Sequence, residues 1–285
     1  MSTVYLNGDY LPMEEARISP MDRGFLFGDG IYEVIPSYDG RLVGFGPHLE
    51  RMRNGLAAVE IKLDLNEDDW RDIANGLIER NGGGDLGIYL HVSRGADTQR
   101  HHAYPEGIEP TVYAFAYSIP PAPGADREGE TACQVSTAQD MRWKRCNIKS
   151  TALLGNVMHF QQGYARGDAE TILYNSEGEI TEATACNVYI VKNGVVATPP
   201  LDYQILPGIT RHMLLEILRE DGSIPVEERV ITLQELLQAD EVWLSSSSKD
   251  IVPVTQVDGK IIGSGEIGDV WQAAQTLYSA HKFDF

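Results

Sequence analysis

Cysteine is scarce in this 285-residue chain. Cys133, Cys146 and Cys186 are too few and too scattered for a disulfide framework or a CxxC metal site, so they read as free thiols, buried or half-buried. Seven histidines, of which only His101 and His102 are adjacent, show no HExxH pattern or other zinc spacing, and no metal is expected. No run approaches the roughly 20 apolar residues that a membrane-spanning helix needs. The opening MSTVYLNGDY lacks a basic segment followed by an apolar run, so a cytoplasmic protein is the expectation. Positive charge is also thin: 23 Lys and Arg stand against 42 Asp and Glu, a net charge of −19. Such a surface repels phosphate backbones and anionic membranes, which argues against nucleic-acid and membrane partners. It also makes any basic residue placed near a small anion more informative. Gly24, Gly28 and Gly30 are not spaced as a dinucleotide-binding fingerprint, and no strand obviously precedes them.

What is present fits a soluble globular chain, with 42% hydrophobic and 23% charged residues. The length suggests two domains of about 100–150 residues each. Asn7-Gly8 and Asp39-Gly40 are turn signals, the first between Val4–Leu6 and Tyr10–Leu11, the second between Gly30–Tyr38 and Leu42–Phe45. Leu49, Met52, Leu56 and Val59 recur at helical spacing over Pro47–Ile61, and a second helix is expected over Glu67–Arg80, stopped by Asn81-Gly82. Gly87–Ser93 and Thr111–Ser118 read as strands. The run Ile119-Pro-Pro-Ala-Pro-Gly-Ala-Asp126 is the clearest break. The domains expected are a small one over 1–119, a linker over 120–130 and a larger one over 131–285 that carries Lys149.

In the second half, strands are expected at Ala132–Thr137, Ile172–Tyr174, Asn187–Val191 and Glu241–Leu244, with a further hairpin at Asn193-Gly194. Helices are expected at Leu153–Arg166, from Pro207 through about Arg219, near Leu233–Gln238 and over Ile267–His281. Strands and helices mix without regular βαβ alternation, so the fold class read here is mixed α/β (α+β) rather than a Rossmann layout.

Several residues are chemically suggestive. Lys149 sits in a polar, uncharged turn that leads into an apolar helix, where a lysine can be desolvated, and Schiff-base chemistry requires a neutral amine. Its local context alone favours a solvated surface lysine. Three segments could hold a phosphate: Pro207-Gly208-Ile209-Thr210 at a helix start, the run Ser245–Ser248 after a strand, and Arg51 on the first long helix. Each alone is weak, since a Thr near a helix start is usually a cap and a serine run is usually a loop. Glu182 lies between a hairpin and a strand; a carboxylate there could face a pyridine nitrogen, although most glutamates in so acidic a chain are surface charges. Arg94–Pro105 is a basic loop in which Arg100 and His102 could grip a carboxylate, or simply face solvent.

Together the segments Asp22–Val34, Asp140–Ser150, Thr181–Asn187 and Leu206–Arg211 resemble the fold-type IV (class IV) pyridoxal-phosphate aminotransferases, in order and spacing, along essentially the whole chain. Within that class, Arg94-Gly-x-x-x-x-Arg-x-His-x-x-Pro105 most resembles the carboxylate trap of the D-amino-acid (D-alanine) aminotransferases. The resemblance implies a two-domain fold of that type with pyridoxal 5′-phosphate as cofactor and Lys149 as its Schiff-base and proton-shuttling residue. It implies Glu182 at the pyridine nitrogen and Arg51, the backbone of Ile209 and Thr210, and Ser247 at the phosphate. Tyr32, Arg100 and His102 would bind the substrate carboxylate. A homodimer is implied, with the Arg100–His102 loop reaching the neighbouring subunit's site and amino acids and 2-oxo acids as the small-molecule partners. After Glu182 the chain departs from the class, with Thr184-Ala185-Cys186 where hydroxyl residues are common. The competing readings are a branched-chain L-amino-acid aminotransferase, an aminodeoxychorismate lyase, an amine transaminase, and a non-catalytic cofactor carrier or ligand-binding module.

Overall fold

The computed structural model describes residues 2–124 and 131–285, so part of the expected linker, 125–130, lies outside the described residues. The chain forms two compact units. One comprises the chain up to Pro121 with Ile148–Leu153 and Phe285; the other comprises Ala122–Asn147 and Leu154–Asp284. The segment carrying Lys149 therefore packs with the first unit, although the sequence suggested the C-terminal one.

In the first unit, β1 (Thr3–Leu6) and β2 (Asp9–Pro12) form the expected hairpin, with Asn7 and Gly8 both at positive φ as a tight turn of this hand requires. A short helix, α1 (Arg23–Phe27), precedes β3 (Gly30–Tyr38) and the two-residue β4 (Arg41–Leu42). Leu42–Phe45 is not the strand expected. Gly44 turns left-handed and the helix α2 (Phe45–Ala58) begins at once, with Pro47 tolerated in the first turn where its missing N–H costs nothing. The far end of α2 also falls short of Ile61. Glu60 is left-handed, and the Arg94 guanidinium, arriving from far along the chain, takes the carbonyls of Val59 and Glu60 at 2.6 and 3.1 Å. The helix α3 (Glu67–Arg80) matches the expected limits. Its start is secured by a capping box in which Asn66 accepts from the Asp68 and Asp69 amides and Asp69 accepts from Asn66, worth about 1 kcal/mol.

β5 (Leu86–Ser93) and β6 (Thr111–Ser118) complete an antiparallel six-stranded sheet among the described residues, in the order β2-β1-β6-β5-β3-β4. Ile31, Ile35, Ile88, Leu90 and Ala114 alternate onto the face that packs with Leu49, Met52, Trp70, Ile73 and Leu77 of α2 and α3. Tyr32, Tyr89 and Phe115 stand on the other face as an aromatic row.

The second unit begins with β7 (Cys133–Gln139) and α4 (Leu154–Tyr164), followed by β8 (Glu170–Tyr174), β9 (Ile180–Ala183), β10 (Asn187–Lys192) and β11 (Val195–Thr198). Then come α5 (Ile209–Asp221), β12 (Val226–Glu228), α6 (Leu233–Leu237), β13 (Glu241–Ser246), β14 (Asp250–Val257), β15 (Lys260–Ile261) and α7 (Asp269–His281). The sheet runs β12-β11-β10-β13-β14-β7-β8-β9, with β15 on β14. It mixes parallel pairs (β7 with β8 and β14) and antiparallel ones, which agrees with the mixed α/β class. β9, β12, β14 and β15 were not anticipated. β9 is the consequential one, because it puts Glu182 on a buried strand rather than between elements.

Candidate active site

In the first unit, β3 builds one group of functional side chains. β5 pairs along the whole of one edge, while β4 covers the other edge only at Ser37 and Tyr38. The remaining stretch of that edge is taken by the Lys149 segment. The Tyr32 N–H donates to the Lys149 carbonyl at 3.1 Å, the Thr151 N–H donates to the Gly30 carbonyl at 2.9 Å, and Ser150 bridges Ile31. Gly30 is needed there, since a Cβ would lie 2.8 Å from the Val92 carbonyl oxygen. Lys149 is thus held by its backbone on both sides. Its half-buried side chain extends over the Tyr32 ring, with Nζ 4.3 Å from the centroid. The structure brings these two expected site residues together.

Glu33 points the opposite way, into the α2 face, and is fully buried. It accepts from Arg51 Nε at 2.7 Å and Nη2 at 2.6 Å, and Nδ1 of His48 lies 2.7 Å from the same carboxylate. Burial alone would raise its carboxyl, but Arg51 and His48 together hold it down at about 2. His48 is pushed below its ordinary value, chiefly by burial. Arg51, expected to neutralise a phosphate, is therefore already clamped by a carboxylate that orients its fork. Neither Glu33 nor His48 was singled out from sequence. The one available signal was a charged residue on the apolar face of an alternating strand.

Arg100 and His102 lie exposed on the β5–β6 loop. The Arg100 guanidinium sits 5.0 Å from the centroid of Phe27, and the His102 ring 5.5 Å from it. The loop is tied down from beneath. Arg23 donates to the carbonyls of His101 and His102 at 2.8 and 3.4 Å and to Asp29 at 2.8 Å, while Arg94 makes two bonds to Asp29. This presents Arg100 and His102 side by side, with their polar ends toward solvent.

In the second unit, Glu182 on β9 accepts from Arg142 Nη1 at 2.5 Å and from the Leu206 amide at 2.9 Å. Arg142 is shared. Its Nε and Nη2 donate to Asp140 at 3.0 and 2.7 Å, and Thr181 donates to the same carboxylate. Burial pushes the Glu182 carboxyl above its usual range despite Arg142, while Arg142 holds Asp140 below its own against the effect of burial. Arg142 and Asp140 belong to a segment that the resemblance quoted, but no role was given to them.

The helix α5 opens on Gly208 in extended conformation without a side-chain cap, leaving the amides of Ile209 and Thr210 at the positive end of the helix dipole. A Cβ at Gly208 would meet the Asn187 Oδ1 at 1.9 Å, so only glycine lets the two approach. Ser247 is half-buried in the turn between β13 and β14. The departures after Glu182 resolve simply: Ala185 is exposed, and Cys186 is buried with its thiol 3.8 Å from Glu170 and pushed up to about 12 by burial. Cys186 packs in the core of this unit.

The first unit thus lays an amine on an aromatic ring, and the second holds a buried carboxylate with a shared cation and an uncapped helix start behind a forced glycine. The family model described as "Amino-transferase class IV" matches residues 30–257, most of the chain. The chain belongs to the class IV aminotransferases. A D-alanine aminotransferase of Bacillus licheniformis is 38% identical over 273 residues, covering 96% of this chain and 94% of that protein. One from Staphylococcus haemolyticus is 36% identical over 285 residues, covering 99% and 98%. Among solved structures, an Escherichia coli branched-chain amino acid aminotransferase superposes with a TM-score of 0.90 at 24% identity, covering 98% of this chain and 94% of that one. The Thermobaculum terrenum branched-chain amino acid aminotransferase in its PLP-bound form superposes with a TM-score of 0.86 at 20% identity, covering 99% and 94%. These structural likenesses speak for the fold.

Proposed function

We propose that this aminotransferase moves the amino group of a D-amino acid such as D-alanine to a 2-oxo acid such as 2-oxoglutarate, with pyridoxal 5′-phosphate as its cofactor. The substrate follows the relatives that share more than a third of their residues with this chain over nearly its full length and carry the name D-alanine aminotransferase. Branched-chain L-amino acids are the second reading, carried by the names of the structural neighbours at lower identity.

The residues fit such a cofactor. Glu182 is a buried carboxylate that receives one guanidinium N–H and one amide, and its cation is shared with Asp140. That leaves negative potential suited to a protonated ring nitrogen. The Ile209 and Thr210 amides suit a phosphate, as do Ser247 and the oriented Arg51. Bound there, the cofactor supplies an aldehyde that takes up amino groups and a ring that accepts the electron pair left when the α-proton departs.

Lys149 would hold the cofactor through Nζ, and the same nitrogen, as a free amine, would take up the substrate's α-proton and hand it on. Backbone pairing to β3 keeps that nitrogen in register through both tasks, and the Tyr32 ring beneath it limits where the amine can swing. The Tyr32 hydroxyl, Arg100 and His102 bind the substrate carboxylate, the last two from the neighbouring subunit of a homodimer. Leu154, Val157, Met158 and Tyr164 leave an apolar face of α4 exposed, which supports self-association. Among the described residues no helix is long and apolar enough to cross a membrane, and a cytoplasmic location is part of this reading.

The observation that carries the proposal is the placement of the Lys149 amine on Tyr32. The test is the visible spectrum of the cofactor-loaded protein. D-alanine should bleach the yellow band, 2-oxoglutarate should restore it, L-leucine should leave it unchanged, and Lys149→Ala should show neither band nor turnover. Bleaching by L-leucine alone would move the enzyme to the branched-chain reading.

A further inference from the structure

The second unit buries an ion pair that the amino-transfer chemistry does not use. Lys282, just after α7, donates to Asp250 at 2.6 Å, and their side chains are 2% and 1% exposed. Burying both charges strips them of water, and an apolar pair of the same volume would pack α7 at least as well. A pair retained at that cost suits a task of geometry, and the hairpin it touches supplies one.

Asp250 closes the turn that carries Ser247. It lies opposite Ser246 in the β13–β14 register, the Lys249 amide donates to the Ser246 carbonyl at 3.2 Å, and Asp250 itself is left-handed at φ 50°. Aspartate tolerates that conformation better than most residues, and an anchor on its side chain would hold the turn in that one shape. Lys282 is placed to do so. The helix grips the same hairpin elsewhere as well: Trp271 Nε1 donates to the Ile251 carbonyl at 3.1 Å, and Glu241 on β13 accepts from the Val270 and Trp271 amides at 3.0 and 2.9 Å. At the other end of the turn, Ser245 is fixed by the Tyr189 hydroxyl at 2.8 Å.

We infer that Lys282 is a positioning residue for phosphate binding: through Asp250 it locks the Ser246–Lys249 turn in the shape that offers Ser247 to the cofactor phosphate. The inference rests on the assignment of Ser247 made above.

The test compares binding of pyridoxal 5′-phosphate with that of pyridoxal, which shares ring and aldehyde but lacks the phosphate, to the full-length protein. Binding is read from the visible absorption of the lysine-bound cofactor. Lys282→Met should weaken the phosphorylated form by about tenfold, the value of a hydrogen bond to a charged group, and pyridoxal by less than about twofold. Asp250→Asn combined with Lys282→Gln, which restores a neutral hydrogen-bonded pair, should recover most of the loss. Should Lys282→Met not fold, Lys282→Arg keeps the charge but overreaches Asp250, and the same phosphate-selective loss is expected. Equal weakening of both compounds, no weakening, or a double variant as weak as the single would overturn the inference. If the unaltered protein binds both compounds equally well, the Ser247 assignment itself fails.

Discussion

Glu33 in the first unit and Glu182 in the second are both buried carboxylates held by an arginine, yet their surroundings push them in opposite directions. Glu33 receives two fork bonds from Arg51 and a third contact from His48, and its carboxyl is held at about 2. Glu182 receives a single guanidinium bond from Arg142, whose other bonds go to Asp140 and the Gln204 carbonyl, and one from the Leu206 amide, and burial leaves its carboxyl raised. The difference is one of completeness. A carboxylate gripped by two bonds of one guanidinium becomes part of the frame, whereas one whose cation is shared with a second carboxylate is less fully neutralised. The first arrangement orients Arg51, and in the proposed function the second would face a ring nitrogen.

The comparison has consequences of opposite sign for acid stability. Glu33, depressed when folded, contributes stability that is present above its unfolded value of 4.5 and lost as pH falls from 4.5 towards about 2. Glu182, raised when folded, costs stability as pH climbs above 4.5. The sharpest way to break the comparison is Glu33→Gln, which removes the buried charge that faces Arg51. At neutral pH the variant should lose about 3–5 kcal/mol in urea unfolding. At pH 3 much of the gap to the parent protein should close, because the parent has by then lost most of the roughly 3 kcal/mol that the depression represents. A gap of the same size at both pH values would mean that Glu33 is not the charged anchor described.

A smaller effect is expected at the open cluster. Arg142→Met should cut kcat by about a hundredfold, a loss typical of removing one charge-stabilising group. It should also move the acid limb of the pH–rate profile to higher pH, since Glu182 would lose the cation that opposes its protonation. An unmoved limb would show that Arg142 only packs. The smallest effect belongs to the exposed cations. Arg100→Ala should raise KM for the amino acid by about tenfold while leaving cofactor affinity within about twofold. Equal loss of both would assign the loop to structure or to the cofactor.

Much of the frame was legible in sequence because its signals are local. Asn7-Gly8 specifies its hairpin through two left-handed residues, and α3 announces its end by Asn81-Gly82. α2 was misjudged at both ends because its limits are set by Gly44 turning left-handed and by Arg94, more than thirty residues away, capping its last carbonyls. β14 was missed because Asp250, Pro253 and Gln256 interrupt its apolar pattern, and its strand character comes from β7 and β13 on either side. In the proposed site, Lys149, Glu182, Tyr32, Arg51, Arg100 and His102 were picked out through the family resemblance. Glu33, His48, Asp140 and Arg142 could not, since each has its meaning only through a partner brought to it by the fold.

The sequence by itself determined the class of chemistry through its resemblance to the class IV aminotransferases, because the order and spacing of the matching segments are properties of the chain. It determined the short-range turns and caps for the same reason. Only the tertiary structure decided which charges are complete and which are left open. That depends on burial and on how many partners reach each carboxylate, and neither quantity exists until strands and helices distant in sequence have packed together.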